Sequence, residues 1–296
     1  MATDRQASLV VDVPGRLDAF VAAAIPALSR RLVRRLIDAG LVRVNERPVT
    51  RGARLAPGDR VSLPPVALVP EPDLPITVVH VDERIVVLDK PGGMPGHALD
   101  PRQRGTVAAF LAARFPETAT VGDPLSSGLA HRLDTGTSGL VIAARTRDAF
   151  ARLRAAFRAG EVMKRYLAIV QGAPPPRTTV DTALAHDPSD RRRMVPATRG
   201  QRAWPARTEV VVLRTGGGRA LVEATIRTGV THQVRVHLAL LGCPVLGDVL
   251  YGAPASELAP ARHALHASAL APTGRAGDLS GWESALPADL AMIAPS

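Results

Sequence analysis

The run His131-Arg132-Leu133-Asp134-Thr135-Gly136-Thr137-Ser138 places an acid beside a histidine, an arginine and hydroxyl side chains. Two chemistries could use it. An Asp-Thr-Gly run suits acid-catalysed peptide cleavage, in which two carboxylates share a proton because like charges about 3 Å apart cannot both ionise. The second carboxylate is lacking: Asp181-Thr182-Ala183 comes nearest but has no glycine, so a homodimer would have to supply it. The residues on the left of Asp134 point elsewhere. A fixed cation nearby lowers a carboxyl's pKa, so Asp134 next to Arg132 reads as a permanently ionised carboxylate, a nucleophile or charge stabiliser.

The elements that must hold this run fall into two patterns. Residues 14–62 read as helix, helix and short strands. PGRLDAFVAAAIPALSR suggests the first helix. In the second, Ser29 is a suitable N-cap and Gly40 a suitable stop, while Leu32, Val33, Leu36 and Ile37 form one apolar stripe. Arg30, Arg31, Arg34 and Arg35 make the opposite face. A turn at Asn45-Glu46 and a Pro-Gly turn before RVSL imply strands. Residues 63–75 are a Pro-rich linker. From residue 76 onward, strand patterns (ITVVHV, RIVVLDK, KRYLAIVQG, ARTEVVVL, ALVEATI) alternate irregularly with helix patterns (GTVAAFLAARF, RDAFARLRAAF), and THQVRVHLALLG reads as a strand running into a helix. That mixture predicts an α+β fold with a mixed sheet.

Composition narrows the partners. The net charge is +10, and residues 14–62 carry ten arginines against four acids, so +6 of it sits there. Like charges crowded on one helix face are destabilising. Contact with a nucleic-acid backbone offsets that cost, so Arg30, Arg31, Arg34 and Arg35 are candidate RNA- or DNA-binding residues. One cysteine, Cys243, leaves no disulfide framework and fits a reducing, cytoplasmic location. No membrane span is expected. Lysine and tyrosine are rare, each occurring only twice, at Lys90, Lys164, Tyr166 and Tyr251.

Those rare residues fall inside blocks that carry a resemblance. HRLDTGTSGL, LDKPGGMPGH (88–97), KRYLAIVQG (164–172), RTGVTHQVRVHLALLGCPVLGDVLYG (227–252) and RHALHASAL (262–270) occur in the order of the motifs of RluA-type pseudouridine synthases. Residues 76–296 therefore resemble that catalytic domain, and residues 14–62 resemble an S-four-like RNA-binding domain. The resemblance implies isomerisation of uridine in RNA to pseudouridine, with no cofactor and no metal. His131, His232 and His237 are accordingly expected to be hydrogen-bonded structural groups.

It also implies roles. Asp134 is the catalytic carboxylate, attacking either the ribose or the uracil ring. Arg235 pairs with it, and a bidentate pair would supply charge and orientation together. Tyr166 packs on the uracil and accepts or relays the carbon-5 proton. Arg132 enters the gap left by the flipped base, where its guanidinium plane stacks as a base does. Thr137 and Leu265 belong to the substrate-binding set, and Lys90 and Lys164 to the RNA-binding set. The expected partner is large-subunit ribosomal RNA, with transfer RNA as the alternative and the protein a monomer. A non-catalytic RNA-binding protein built on the same scaffold is the competing reading. Thr135-Gly136, Val230 and Asp89 depart from the family's common residues, which bears on substrate choice.

Overall fold

The computed structural model describes residues 7–26, 28–253, 262–273 and 280–296. They form two compact units.

The first unit comprises Met1–Leu74, Gly96–Leu129 and Ala143–Phe150. Its elements are β1 (Ala7–Val10), β2 (Gly15–Arg16), α1 (Leu17–Ala24), α2 (Arg30–Asp38), β3 (Arg43–Val44), β4 (Arg47–Pro48), β5 (Arg54–Leu55), β6 (Arg60–Leu63) and α3 (Val107–Arg114). Ser29 caps α2 by accepting the Leu32 N–H at 3.2 Å, and Gly40 ends it at φ +68°, a left-handed turn glycine adopts without strain. The stripe Leu32, Val33, Leu36 and Ile37 is buried. Each such side chain contributes about 1.5–3 kcal/mol. Asn45 and Glu46, both at positive φ, reverse the chain between β3 and β4. The sheet order is β1-β6-β3-β4, so a strand precedes the helices that the sequence pattern placed first. Ala98, Ala108 and Leu125 share this unit's apolar core with α1 and α2. The chain first passes from this unit to the second at Leu74/Pro75, and Gly96–Leu129 and Ala143–Phe150 also cluster with the first unit.

The arginine face has acidic and carbonyl partners that local spacing did not reveal. Asp18 of α1, 4% exposed, receives Arg34 Nε at 2.8 Å, Arg16 Nε at 3.0 Å and Arg30 Nη2 at 3.4 Å. Those cations hold its carboxyl far below the usual range. Arg35 donates to the carbonyls of Leu99, at 3.0 Å, and Ala98. Arg31 is exposed.

The second unit comprises Pro75–Pro95, Ala130–Ile142 and Ala151–Ser296. Its strands are β7 (Thr77–Val81), β8 (Ile85–Lys90), β9 (Ser138–Ala144), β10 (Val162–Gln171), β11 (Arg177–Asp181), β12 (Leu184–His186), β13 (Met194–Pro196), β14 (Arg207–Gly216), β15 (Arg219–Ile226), β16 (Leu265–Pro272) and β17 (Trp282–Glu283), with helices α4 (Arg147–Ala159), α5 (Gln233–Leu240) and α6 (Ala288–Ala291); the end of β9 and the start of α4 belong to the first unit. The large sheet runs β11-β14-β15-β10-β16-β9-β8-β7, with β17 on β16, and β12 and β13 make a separate hairpin. β10 lies between β15 and β16, antiparallel to both, while β16 and β9 are parallel. The latter pairing is close. Gly139, at φ +110°, would put a Cβ 2.2 Å from the Ala267 carbonyl oxygen. Only glycine fits there, and the loop ending at β9 is seated against β16 as a result.

The segment expected to run from strand to helix has no strand. It turns at Thr231-His232 and enters α5 directly. Gln233 to Leu238 are all buried, so this helix carries no exposed stripe by which its period could show.

Candidate active site

All of the site described below lies in the second unit. Asp134 stands in the loop between Ala130 and β9, and the backbone of that loop is pinned residue by residue. The Asp134 carbonyl accepts the Thr137 N–H at 3.0 Å, and the Thr135 carbonyl accepts the Gly93 N–H at 2.8 Å. Lys90 Nζ also donates to Thr135 at 3.2 Å, besides Met94 O at 2.8 Å and Pro91 O at 2.9 Å. Arg262 Nη1 donates to the Gly136 carbonyl at 3.1 Å. The Arg262 guanidinium fills space that any side chain on Gly92 would need, since a Cβ there would lie 2.1 Å from its Cδ. Thr137 Oγ1 lies 2.7 Å from His263 Nε2, and a Cβ on Gly136 would meet the same imidazole at 2.7 Å. The departure from the common family pattern at Gly136 is thus the condition for His263 to reach Thr137.

Asp134 itself is bound through one oxygen. Arg235 Nη1 donates to Oδ2 at 2.9 Å, and His232 Nε2 stands 3.7 Å from Oδ1. The bidentate pair expected between Arg235 and Asp134 is made instead with Asp248, Nε to Oδ2 at 2.6 Å and Nη2 to Oδ1 at 2.8 Å. A guanidinium has donors on three nitrogens, so one fork can serve two carboxylates. Burial works to raise the Asp134 carboxyl, but the charge and hydrogen bond of Arg235 help hold it below the usual range. Burial likewise opposes the charge on Arg235, and the two aspartates overcome it. The result is a half-buried, ionised carboxylate with Oδ1 ungripped by the arginine.

Tyr166 lies on the face of β10 shared by Lys164 and Ala168, at a register shift against β16. Burial, and then the charge of Asp134, push its phenol upward. It is a neutral phenol at ordinary pH, suited to stacking and to relaying a proton and unsuited to acting as a standing base. Arg132 is exposed, two residues from Asp134. Its guanidinium makes no hydrogen bond or ion pair with any described side chain.

Several expected contacts are displaced. Lys90 and Lys164 are 0% and 5% exposed, and neither reaches a surface where RNA phosphates could lie. Lys90 ties the catalytic loop to the Lys-Pro segment, and burial draws its ammonium down to about 7. Lys164 donates to the Thr228 carbonyl at 2.7 Å, lies over the Phe157 ring and is drawn down to about 8 by burial. Thr137 and Leu265, expected at the substrate, are 2% and 3% exposed. Thr137 orients the loop through His263, and Leu265 pairs with Ala168 in the sheet.

The histidines have separate hydrogen-bonding partners. His131 Nε2 accepts the Ile142 N–H at 3.2 Å, and His237 has Thr208 Oγ1 at 2.8 Å and the Thr182 carbonyl at 3.0 Å. His232 Nδ1 is 2.8 Å from the Tyr251 hydroxyl. Asp248, Arg262 and His263 were not singled out from sequence, and Tyr251 was noted there for its rarity without a role. Their signal was membership of the Gly-Asp, Tyr and Arg-His positions inside the resembling blocks.

Residues 84–240 match the family described as RNA pseudouridylate synthase, and residues 15–61 match the S4 domain. The chain belongs to the RNA pseudouridine synthases. It is 40% identical over 284 residues to an RNA pseudouridine synthase of Chloroflexus aurantiacus, spanning 94% of this chain and 88% of that one. With the ribosomal large subunit pseudouridine synthase D of Neisseria meningitidis serogroup A it shares 32% identity over 293 residues, 93% of this chain and 77% of the relative. A solved human structure, RNA pseudouridylate synthase domain containing 1, is similar with a TM-score of 0.57 and 28% identity over 72% of this chain and 83% of that one. The RluA-type catalytic domain, the α+β class and the S4 domain expected from the sequence are all present, and the enzyme acts on RNA. Among the described residues, no helix of this synthase is long and apolar enough to cross a membrane.

Proposed function

We propose that this synthase isomerises uridine in large-subunit ribosomal RNA, with Asp134 as the reacting carboxylate. The observation that carries the assignment is the Asp134–Arg235–Asp248 cluster: Arg235 holds one carboxyl oxygen at 2.9 Å, while the other stands 3.7 Å from His232 Nε2. In this reading the S4 domain docks the RNA. The target nucleotide leaves its stack at a cost of a few kcal/mol, and Arg132, exposed and adjacent, fills the gap. Asp134 drives the exchange. The bond from ribose C1′ to uracil N1 breaks, the ring turns, and C5 bonds to C1′. The C5 proton then leaves through the Tyr166 phenol as a relay, and N1 regains a proton. No atom is lost, so the chain's own residues suffice. Tyr166 stacks on the uracil throughout.

The ribosomal substrate is supported by relatives named for the large subunit, and in this reading the enzyme works in the cytoplasm as a monomer. The test is a map of pseudouridines by carbodiimide modification of ribosomal and transfer RNA from cells with and without the gene. Complementation follows with the wild type and with Asp134→Asn. A ribosomal site should vanish on deletion and return only with the wild type. Loss of a transfer RNA site instead overturns the substrate, and restoration by Asp134→Asn overturns the assignment of the carboxylate.

A further inference from the structure

His232 caps the N-terminus of α5 in a left-handed conformation, φ 57° and ψ 15°. A β-carbon disfavours that region, and non-glycine residues held in it cluster where the fold uses the strain. Here the conformation aims the imidazole at Asp134. Its ring is fixed from behind by Tyr251, edge-on at 5.7 Å between centroids. The Tyr251 hydroxyl accepts the Met194 N–H at 2.9 Å, so its own proton is directed to His232 Nδ1, 2.8 Å away. Burial keeps this imidazole neutral, with Asp134 opposing and Arg235 reinforcing that effect. A neutral ring whose Nδ1 accepts must carry its proton on Nε2, the nitrogen that faces Oδ1 at 3.7 Å. That separation is too long for a hydrogen bond, and catalytic contacts of this kind tighten when substrate closes the site.

We propose that His232 is a positioning residue for the isomerisation. Its Nε2–H, set in place by Tyr251, fixes the direction of Oδ1, the carboxylate oxygen that Arg235 leaves free. Arg235 and His232 at α5, His263 before β16, Lys90 of β8 and Tyr166 of β10 are the charged and titratable groups that act on Asp134. His232 Nε2 stands 3.7 Å from Oδ1. Tyr251 in turn belongs to the apolar cluster containing Met194 of β13 and Val236 of α5, which fixes the hydroxyl independently of the RNA.

The inference rests on the synthase reading, and the experiment separates the two. RNA labelled with tritium at uridine C5, prepared from cells lacking the gene, is given to excess enzyme, and tritium release is followed in a single turnover. Release by the wild type tests the reading itself. With that established, His232→Ala and Tyr251→Phe should each lower the single-turnover rate roughly 10- to 100-fold, the range of one hydrogen bond to a charged group. The dissociation constant for the same RNA should stay within about twofold. His232→Gln, which keeps an N–H donor at similar reach, should recover most of the rate. Tyr251→Phe retains the ring and its packing, so a loss there with an unchanged melting temperature marks the hydroxyl and excludes misfolding. The proposal is overturned if His232→Ala turns over within about twofold of the wild type, if the glutamine variant is no better than alanine, or if the defect appears in RNA affinity alone.

Discussion

Replacing Asp248 with Asn should destabilise the enzyme more than replacing Asp134, although only Asp134 is placed at the reacting atoms. The geometry sets the order. Asp248, with its side chain 1% exposed, takes two charge-assisted hydrogen bonds at 2.6 and 2.8 Å. Asp134, at 18% exposure, takes one at 2.9 Å. Asp134→Asn leaves the Arg235–Asp248 pair whole and costs about 1 kcal/mol, one hydrogen bond at a partly wet edge. Asp248→Asn leaves a buried guanidinium compensated only through Asp134 and costs about 3 kcal/mol, the lower end for a broken buried pair because asparagine still accepts one bond. For a domain of this size each kcal/mol moves the melting temperature by about 2–4 °C. The expected falls are therefore about 6–12 °C for Asp248→Asn and about 2–4 °C for Asp134→Asn by scanning calorimetry. Turnover should vanish in Asp134→Asn and drop about 100-fold in Asp248→Asn as the guanidinium loses its aim, comparable to losing one preorganised donor. A larger thermal loss in Asp134→Asn than in Asp248→Asn would refute the view that Asp248 anchors the arginine.

Three further outcomes are expected. The Asp134 carboxyl is held below its usual range, so its contribution to stability is present above the unfolded value of about 3.9 and lost as pH falls through the lower folded value. A kcat/KM profile measured from about pH 5 upward should accordingly carry no acid limb from this group, and an Asp134 carboxyl carbon resonance that titrates above pH 5 by NMR would contradict it. On the arginine face, Arg31→Ala should reduce the slope of log affinity against log salt by about 0.7, one single-strand phosphate contact. Arg35→Ala, whose side chain is spent on the Ala98 and Leu99 carbonyls, should lower the melting temperature and leave the slope unchanged. Equal slopes for the two variants would remove the distinction. Gly139→Ala should cost more than about 3 kcal/mol by urea unfolding, since its Cβ meets the Ala267 carbonyl in a left-handed backbone; a soluble variant of wild-type stability would show that β9 and β16 can separate.

What the sequence made legible depended on how local each interaction is. The cap at Ser29, the stop at Gly40 and the stripe of α2 were readable because all their partners lie within one or two turns. β1 was missed because a four-residue strand shows no period of its own and is defined by pairing with β6, far along the chain. α5 was misread as part strand because Val234-Arg235-Val236 alternates, whereas the structure buries both the apolar and the polar positions, which erases the helical period. The lysines were assigned to RNA binding with the resembling blocks, which say nothing of burial. Three carbonyls around Lys90 offset the preference of its charge for solvent, and no local pattern announces them. Asp18 was invisible for the same reason, standing 12 and 16 residues from the arginines it holds.

The same distinction governs the site. The motif blocks named Asp134 and Arg235, which lie 101 residues apart, and a one-to-one pair was the natural reading. A bidentate grip on Asp134 would have engaged both of its oxygens and lowered the reactivity the site requires. Asp248 resolves that conflict. By taking two of the guanidinium's nitrogens it fixes the arginine's plane and leaves a single donor for Oδ2, so the cation keeps Asp134 ionised without covering Oδ1. A lysine could supply the charge but not this division of labour, because its ammonium is a point charge without a planar fork. Arginine at position 235 is therefore required by two carboxylates together, and the second of them, buried and away from the reacting atoms, is what makes the first available.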